Sequence, residues 1–101
     1  QPGQALTQVL SADGAISIED GIVFITKATA VAATLAGPSD DGLCLDIVCA
    51  VAAAHVVTHA TPLFNGAVGT ITFVATAGAN TRLMSYNGTW FGSIGTLVAY
   101  S

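Results

Sequence analysis

The sequence predicts an all-β domain: an antiparallel β-sandwich, or a jelly-roll or barrel-like arrangement of short strands. Three observations predict it. Val, Ile and Thr, which fit a pleated surface, dominate alongside Ala. Gly, Asp-Gly and Asn-Gly punctuate the chain at about 8–12-residue intervals. Several segments alternate apolar and polar residues at period two. A chain of 101 residues is one domain with one core. It is expected to consist of an N-terminal arm and first strand over residues 1–14, followed by the β-domain over residues 15–101.

The first strand is read from Gln4 to Leu10, ended by Ser11-Ala12-Asp13-Gly14, where Asp-Gly suits a turn that needs positive φ. Ala15 to Ile18 resumes, Glu19-Asp20-Gly21 turns again, and Ile22 to Thr26 is the next strand, with Val31 to Leu35 as its extension. Ala36-Gly37-Pro38-Ser39-Asp40-Asp41-Gly42 is the strongest breaker, because Pro lacks a backbone donor and two adjacent carboxylates need water. Leu43 to Cys49 alternates, with Leu43, Leu45, Ile47 and Cys49 on one face and Cys44, Asp46 and Val48 on the wetter one. A helix from Asp41 to about His55 is the alternative, since Leu43, Ile47, Val51 and His55 recur every four residues and Ala52-Ala53-Ala54 favours it. The β-branched Val48, Val51, Val56 and Val57 favour strand.

Further on, Ile71, Phe73 and Ala75 alternate with Thr70, Thr72, Val74 and Thr76. Arg82 to Ile94 reads as a hairpin around Asn87-Gly88, the dipeptide best suited to a two-residue turn. Leu97 to Tyr100 closes the chain as a strand. No repeat of 20 to 50 residues is expected.

Charge is the anomaly in this composition. Charged residues make up 8% against 52% hydrophobic, and the mean hydropathy is +0.71, where ordinary soluble proteins are about one-quarter charged. Two basic residues, Lys27 and Arg82, cannot neutralise a run of phosphates, which excludes a sequence-independent grip on nucleic acid. They cannot hold an anionic membrane surface either. The uncharged run from Ile47 to Thr81 is no membrane span, because His55, Thr58 and His59 break its apolar part. No basic cluster leads into an apolar segment near Gln1, so no signal peptide is expected.

Cys44 and Cys49, five apart, cannot bridge each other in a strand or a helix, and are read as free, buried thiols of a reducing compartment of synthesis, with an intermolecular bridge as the alternative. Together with His55 and His59 they make C-x4-C-x5-H-x3-H, which looks like a zinc signature. The five-residue gap leaves little room to close a tetrahedron, and on a strand the two His stand roughly 13 Å apart. Thiols in the core and neutral His on a polar face or in a subunit contact are the reading preferred, with no metal.

No nucleophile elbow, Cys-His signature or phosphate-cradling loop is present, so no catalytic residue and no cofactor is expected. The pairs Glu19-Asp20 and Asp40-Asp41 sit beside Gly and read as solvated turn carboxylates, rather than as an acid-base pair or a calcium loop. Tyr86, Trp90 and Phe91 flank Asn87-Gly88, and Phe64 adjoins Asn65-Gly66. Exposed, these rings could form a sugar platform or a protein hot spot; buried, they are core, the role expected for most of them.

A monomer with so few charges would expose large neutral patches of the kind that mark interaction surfaces. Copies of the chain covering one another in a cyclic trimer or a larger shell would remove that exposure and protect strand edges, and such an assembly is expected to tolerate high salt. Gln1-Pro2-Gly3-Gln4 carries no core signal and reads as an arm that orders on a neighbour.

Ile25-Thr26-Lys27, Thr34 through Gly42, Ala52-Ala53-Ala54-His55-Val56-Val57-Thr58 and Ser85-Tyr86-Asn87-Gly88-Thr89-Trp90 together resemble a set found in small structural proteins of tailed bacteriophages, over residues 15 to 100. Such proteins include capsid decoration, or cement, proteins that sit as trimers on the head exterior, and related β modules of tail fibres and spikes. The resemblance implies a virion protein that is no enzyme, made in the host cytoplasm and placed on the outer surface of the capsid. Its expected partners are itself, as a homotrimer, and the major capsid protein, with contacts at Gln1, Pro2, Gly3 and Gln4 and at Pro38, Ser39, Asp40 and Asp41. The alternative is a receptor- or carbohydrate-binding module of a tail fibre or spike, using Tyr86, Trp90 and Phe64. A fibre module would belong to a longer chain, whereas a decoration protein is expected to be complete at this length.

Overall fold

The computed structural model describes residues 7–59, 64–65, 68–92 and 98–101. Ten strands are assigned among them: β1 Thr7–Leu10, β2 Gly14–Ile16, β3 Gly21–Ile25, β4 Ala32–Leu35, β5 Cys44–Cys49, β6 Val56–Thr58, β7 Thr70–Phe73, β8 Asn80–Tyr86, β9 Thr89–Gly92 and β10 Val98–Tyr100. They form two five-stranded sheets, ordered β1-β3-β5-β8-β9 and β10-β7-β6-β4-β2. The sheets pack as a sandwich and not as a closed barrel, so the all-β expectation holds. The helix considered for Asp41 to His55 is replaced by β5 and an irregular corner.

Strand direction departs from the antiparallel expectation. β1, β3 and β5 are mutually parallel, as are β2, β4 and β6; only β7, β8, β9 and β10 join their sheets in antiparallel fashion. The first six strands alternate between sheets, so each pair β1-β2, β3-β4 and β5-β6 is one coil laid on the next. Asp13-Gly14 and Glu19-Asp20-Gly21 therefore mark corners where the chain crosses the core from one sheet to the other, not hairpin turns. Val31 to Leu35 likewise contributes β4 to the opposite sheet instead of prolonging β3.

The coils carry a repeat that contradicts the expectation of none. Gly21 pairs with Leu45 and Ala32 with Val56, a shift of 24 residues in both sheets. At that shift Ala28 matches Ala52, Ala30 matches Ala54, Thr34 matches Thr58, Ala36 matches Ala60, Pro38 matches Pro62 and Gly42 matches Gly66. The ladder continues through the corners, with Thr26 N–H donating to Leu10 O, Ala50 N–H to Ile25 O and Val56 N–H to Val31 O.

Alternation within each strand puts one face in the core. Val23, Ile25, Leu45, Ile47, Cys49, Leu83 and Trp90 from one sheet meet Leu35, Val57, Ile71 and Phe73 from the other, all buried. The 23 Å shortest extent fits two sheets about 10 Å apart with side chains on both outer faces. In β8 the inward hydroxyls are satisfied: Ser85 Oγ donates to Asp40 O at 2.7 Å and accepts from Leu43 N–H at 2.8 Å, and Thr81 shares a hydrogen bond with Tyr100 Oη. Asn87 and Gly88 take φ of 51° and 76°, the two left-handed positions that the β8–β9 hairpin turn requires.

Candidate functional site

The residues that looked like metal ligands do not converge. Cys44 is exposed on the outer face of its sheet and Cys49 lies in the core, the opposite directions that alternation along β5 dictates. Both are free thiols. His55 and His59, both buried, use their rings to tie the third coil to the second. His55 Nδ1 accepts from Val31 N–H at 3.0 Å, which places the ring proton on Nε2, where it donates to Val51 O at 3.0 Å. His59 Nδ1 donates to Leu35 O at 2.7 Å, and its ring packs 5.0 Å from that of Phe64. Among the described residues no three of His, Cys, Asp and Glu come together as a metal site.

Burial raises the Cys49 thiol from 9.0 to about 11, and burial also raises Tyr100, partly offset by its hydrogen bond with Thr81. The folded state thus favours the neutral thiol. Its contribution is complete below pH 9 and is lost as pH rises toward 11. Chemical denaturation is expected to show stability falling across that window and a shallower fall for Cys49→Val; an unchanged alkaline slope in that variant would contradict the assignment.

Four of the six acidic residues gather at one end of the coils. Glu19 and Asp20 lie in the corner from β2 to β3, and Asp40 and Asp41 in the longer one from β4 to β5. The predicted contact residues Pro38, Ser39, Asp40 and Asp41 are part of this second corner, half-buried at Pro38 and exposed at the other three. They are fastened on two sides. Glu19 Oε1 accepts from Ser39 N–H at 2.6 Å and from Ser39 Oγ at 2.8 Å, while Asp41 Oδ1 accepts from Asn87 N–H at 2.8 Å. Two carboxylates that read as merely solvated thus hold a corner against its neighbour and against the hairpin. The other predicted contact residues, Gln1, Pro2, Gly3 and Gln4, lie outside the described residues.

Of the rings, Trp90 and Phe64 are fully buried, and Trp90 Nε1 donates to Ala36 O at 3.0 Å. Asn65 fixes the edge of β9 beside them, donating its N–H to Trp90 O and accepting from Gly92 N–H. Tyr86 and Phe91 remain exposed. A sugar platform built from Tyr86, Trp90 and Phe64 therefore loses two of its three rings to the core.

The most distinctive surface is one the sequence reading did not assemble. Of the five large hydrophobic residues exposed among the described residues, Val9, Met84, Tyr86 and Phe91 all belong to the sheet β1-β3-β5-β8-β9. The register aligns them in rows across its outer face: Val9 with Phe24 and Val48, and Cys44 with Met84 and Phe91. Between those rows lies Arg82, whose Nε reaches Asp46 Oδ1 at 2.8 Å and whose second amine reaches Oδ2 at 3.3 Å, so the charges there cancel. The opposite outer face, from β2, β4, β6, β7 and β10, presents Ala15, Thr34, Thr58 and Thr70 in one row and Ala32, Val56, Thr72 and Ala99 in the next, without a charge. The signal for the first face was the second residue set of each alternating strand; reading it needs the register.

Among the described residues no helix is long and apolar enough to cross a membrane. The chain matches no known protein family and no curated protein sequence.

Proposed function

We propose that the protein is a structural component of a phage virion that decorates and stabilises the capsid, binding between major capsid subunits as a homotrimer. The observation that carries this reading is the pair of broad sheet faces, one apolar with a single internally neutralised ion pair and the other a charge-free field of Ala, Val and Thr. Surfaces of that kind suit adhesion. The resemblance of residues 15 to 100 to small structural proteins of tailed phages supplies the setting. Its action is thermodynamic: a protein that binds the assembled lattice and not free subunits stabilises the shell by mass action. The fastened corner Pro38 to Asp41 offers a pre-ordered contact that loses little entropy on docking, and Gln1 to Gln4 would add an arm.

The test compares heat release of packaged DNA from capsids with and without the protein. Decorated capsids are expected to open at a higher temperature, and deletion of residues 1–4 to weaken binding to expanded capsids. Equal opening temperatures at saturating protein would overturn the reading.

A further inference from the structure

We propose that the hairpin end of β8 and β9, where exposed Met84, Phe91 and Tyr86 adjoin the acidic corners, docks a lysine- or arginine-bearing apolar segment of a different protein. The inference deepens the capsid contact of the reading above and rests on that reading for the partner's identity, not for its chemistry.

The net charge of the chain is concentrated at this end. Of six acidic and two basic residues, Asp13 is held by Lys27 at 3.1 Å and Asp46 by Arg82 at 2.8 Å. These two pairs use every Lys and Arg, and the carboxylates left over, Glu19, Asp20, Asp40 and Asp41, account for the net −4. Because β1 and β3 are parallel, Asp13, beyond the end of β1, and Asp20, before the start of β3, lie at opposite ends of the coils. Hydrogen bonds join the acidic corners to each other and to the hairpin, from Ser39 to Glu19 and from Asn87, the residue after Tyr86, to Asp41.

Beside these carboxylates the outward side chains of β8 and β9 are apolar. Tyr86 is 65% exposed, Met84 51% and Phe91 40%. Met84 faces Phe91 across the ladder, and Tyr86 stands two residues further along β8, about 7 Å nearer the acidic corner. An apolar centre with a charged rim is the anatomy of a protein-binding surface, and exposed aromatic rings accept guanidinium or ammonium groups on their faces.

Charge complementarity selects the occupant. A second copy has both its basic residues engaged and brings four more carboxylates, while nucleic acid and an anionic membrane are repelled. A metal ion is not favoured, since no three ligand groups converge among the described residues. What fits is a polypeptide with Lys or Arg of its own, whose apolar side chains cover Met84 and Phe91 while its cations meet the carboxylates at the wet rim. The corner is fastened beforehand, so docking orders little new chain.

The experiment uses the full chain in two arms. In the first, binding to expanded capsids is measured for wild type, the double variant Asp40→Asn with Asp41→Asn, Tyr86→Ala and, as a charge control on the opposite face, Thr72→Lys. Circular dichroism verifies folding; the asparagines keep the oxygens that accept from Asp41 N–H and Asn87 N–H, and Tyr86 points outward, so each variant is expected to fold. Wild-type binding is expected to weaken with rising salt, the double variant and Tyr86→Ala to lose at least about tenfold, and Thr72→Lys to bind as wild type does. In the second arm, nuclear magnetic resonance follows the labelled protein as a short synthetic peptide of alternating arginine and leucine is added. The signals of Asp41, Met84, Tyr86 and Phe91 are expected to move, and to stay in place when glutamate replaces the peptide's arginine.

Folded variants that bind capsids as tightly as wild type would overturn the inference while leaving the decoration reading intact. A wild type that ignores capsids yet takes up the arginine peptide at these residues overturns the decoration reading and keeps the surface. Failure with both capsids and peptide overturns both. Equal movement of the same signals with magnesium ions alone, or on concentrating the protein without peptide, would show a bare cation or a second copy there and overturn the partner assigned.

Discussion

Replacing Trp90 with alanine is expected to destabilise the protein by about 3–5 kcal/mol, the range for removing a large aromatic from a packed core. The indole is fully buried on β9 and spans toward the corner after β4, where Nε1 donates to Ala36 O. Truncation opens a cavity and also leaves that carbonyl without its donor. Domains of this size hold about 5–15 kcal/mol in total, so the variant would sit near its folding threshold. Urea denaturation followed by far-ultraviolet circular dichroism is the suitable measurement, because Trp90 is the sole tryptophan and its fluorescence vanishes with the substitution. Trp90→Phe should recover most of the loss, remaining about 1–2 kcal/mol below wild type for the missing hydrogen bond. A Trp90→Ala midpoint close to that of wild type would mean that the ring is not a core residue.

His55→Leu is expected to cost about 2–4 kcal/mol although it replaces a polar buried residue by an apolar one. The imidazole satisfies Val31 N–H with one nitrogen and Val51 O with the other. Leucine leaves both backbone groups unpaired at a corner where the coils meet. His59→Leu provides the comparison. Its ring makes one hydrogen bond, to Leu35 O, and its Nε2 is buried without a partner among the described residues. Removing that nitrogen relieves a penalty while one bond is lost, so the net effect should be clearly smaller. Equal losses in the two variants would show that the His55 bonds do not hold the second and third coils together.

Much of the strand inventory was legible because burial alternates along each strand. Leu45, Ile47 and Cys49 on one face of β5, and the Asn87-Gly88 turn between β8 and β9, follow from period-two patterning and from the need for positive φ. Strand direction was not legible. A corner and a hairpin turn use the same residues, and Asp13-Gly14 suits either; what distinguishes them is whether the next strand pairs with the last one or faces it across the core. Asp13 illustrates the difference, since its carboxylate accepts from Ala32 N–H in the next coil and from Lys27, which together hold it below the usual carboxylate range.

The 24-residue repeat was hidden for a related reason. Its identities fall on Ala, Thr, Pro and Gly, which merge into the compositional bias, while its core positions exchange Val23 for Ile47 and Ile25 for Cys49, conserving burial and not identity. The histidines were misread for want of the same register. His55 stands one coil beyond Val31 and His59 one coil beyond Leu35, and each reaches back to the backbone of its counterpart. As for the candidate surface, the outward residues of single strands were visible as a wetter side, but their union into an apolar face required the neighbours that pairing supplies.

The stacked coils also make the architecture extensible. Because β3-β4 and β5-β6 occupy successive storeys of the same staircase, offset by 24 residues, another 24-residue unit could be spliced between them, giving each sheet one more strand and lengthening the molecule by about 4.8 Å. Lineages built on this plan can change height in whole steps while keeping both ends of the structure, and whatever they grip, unaltered.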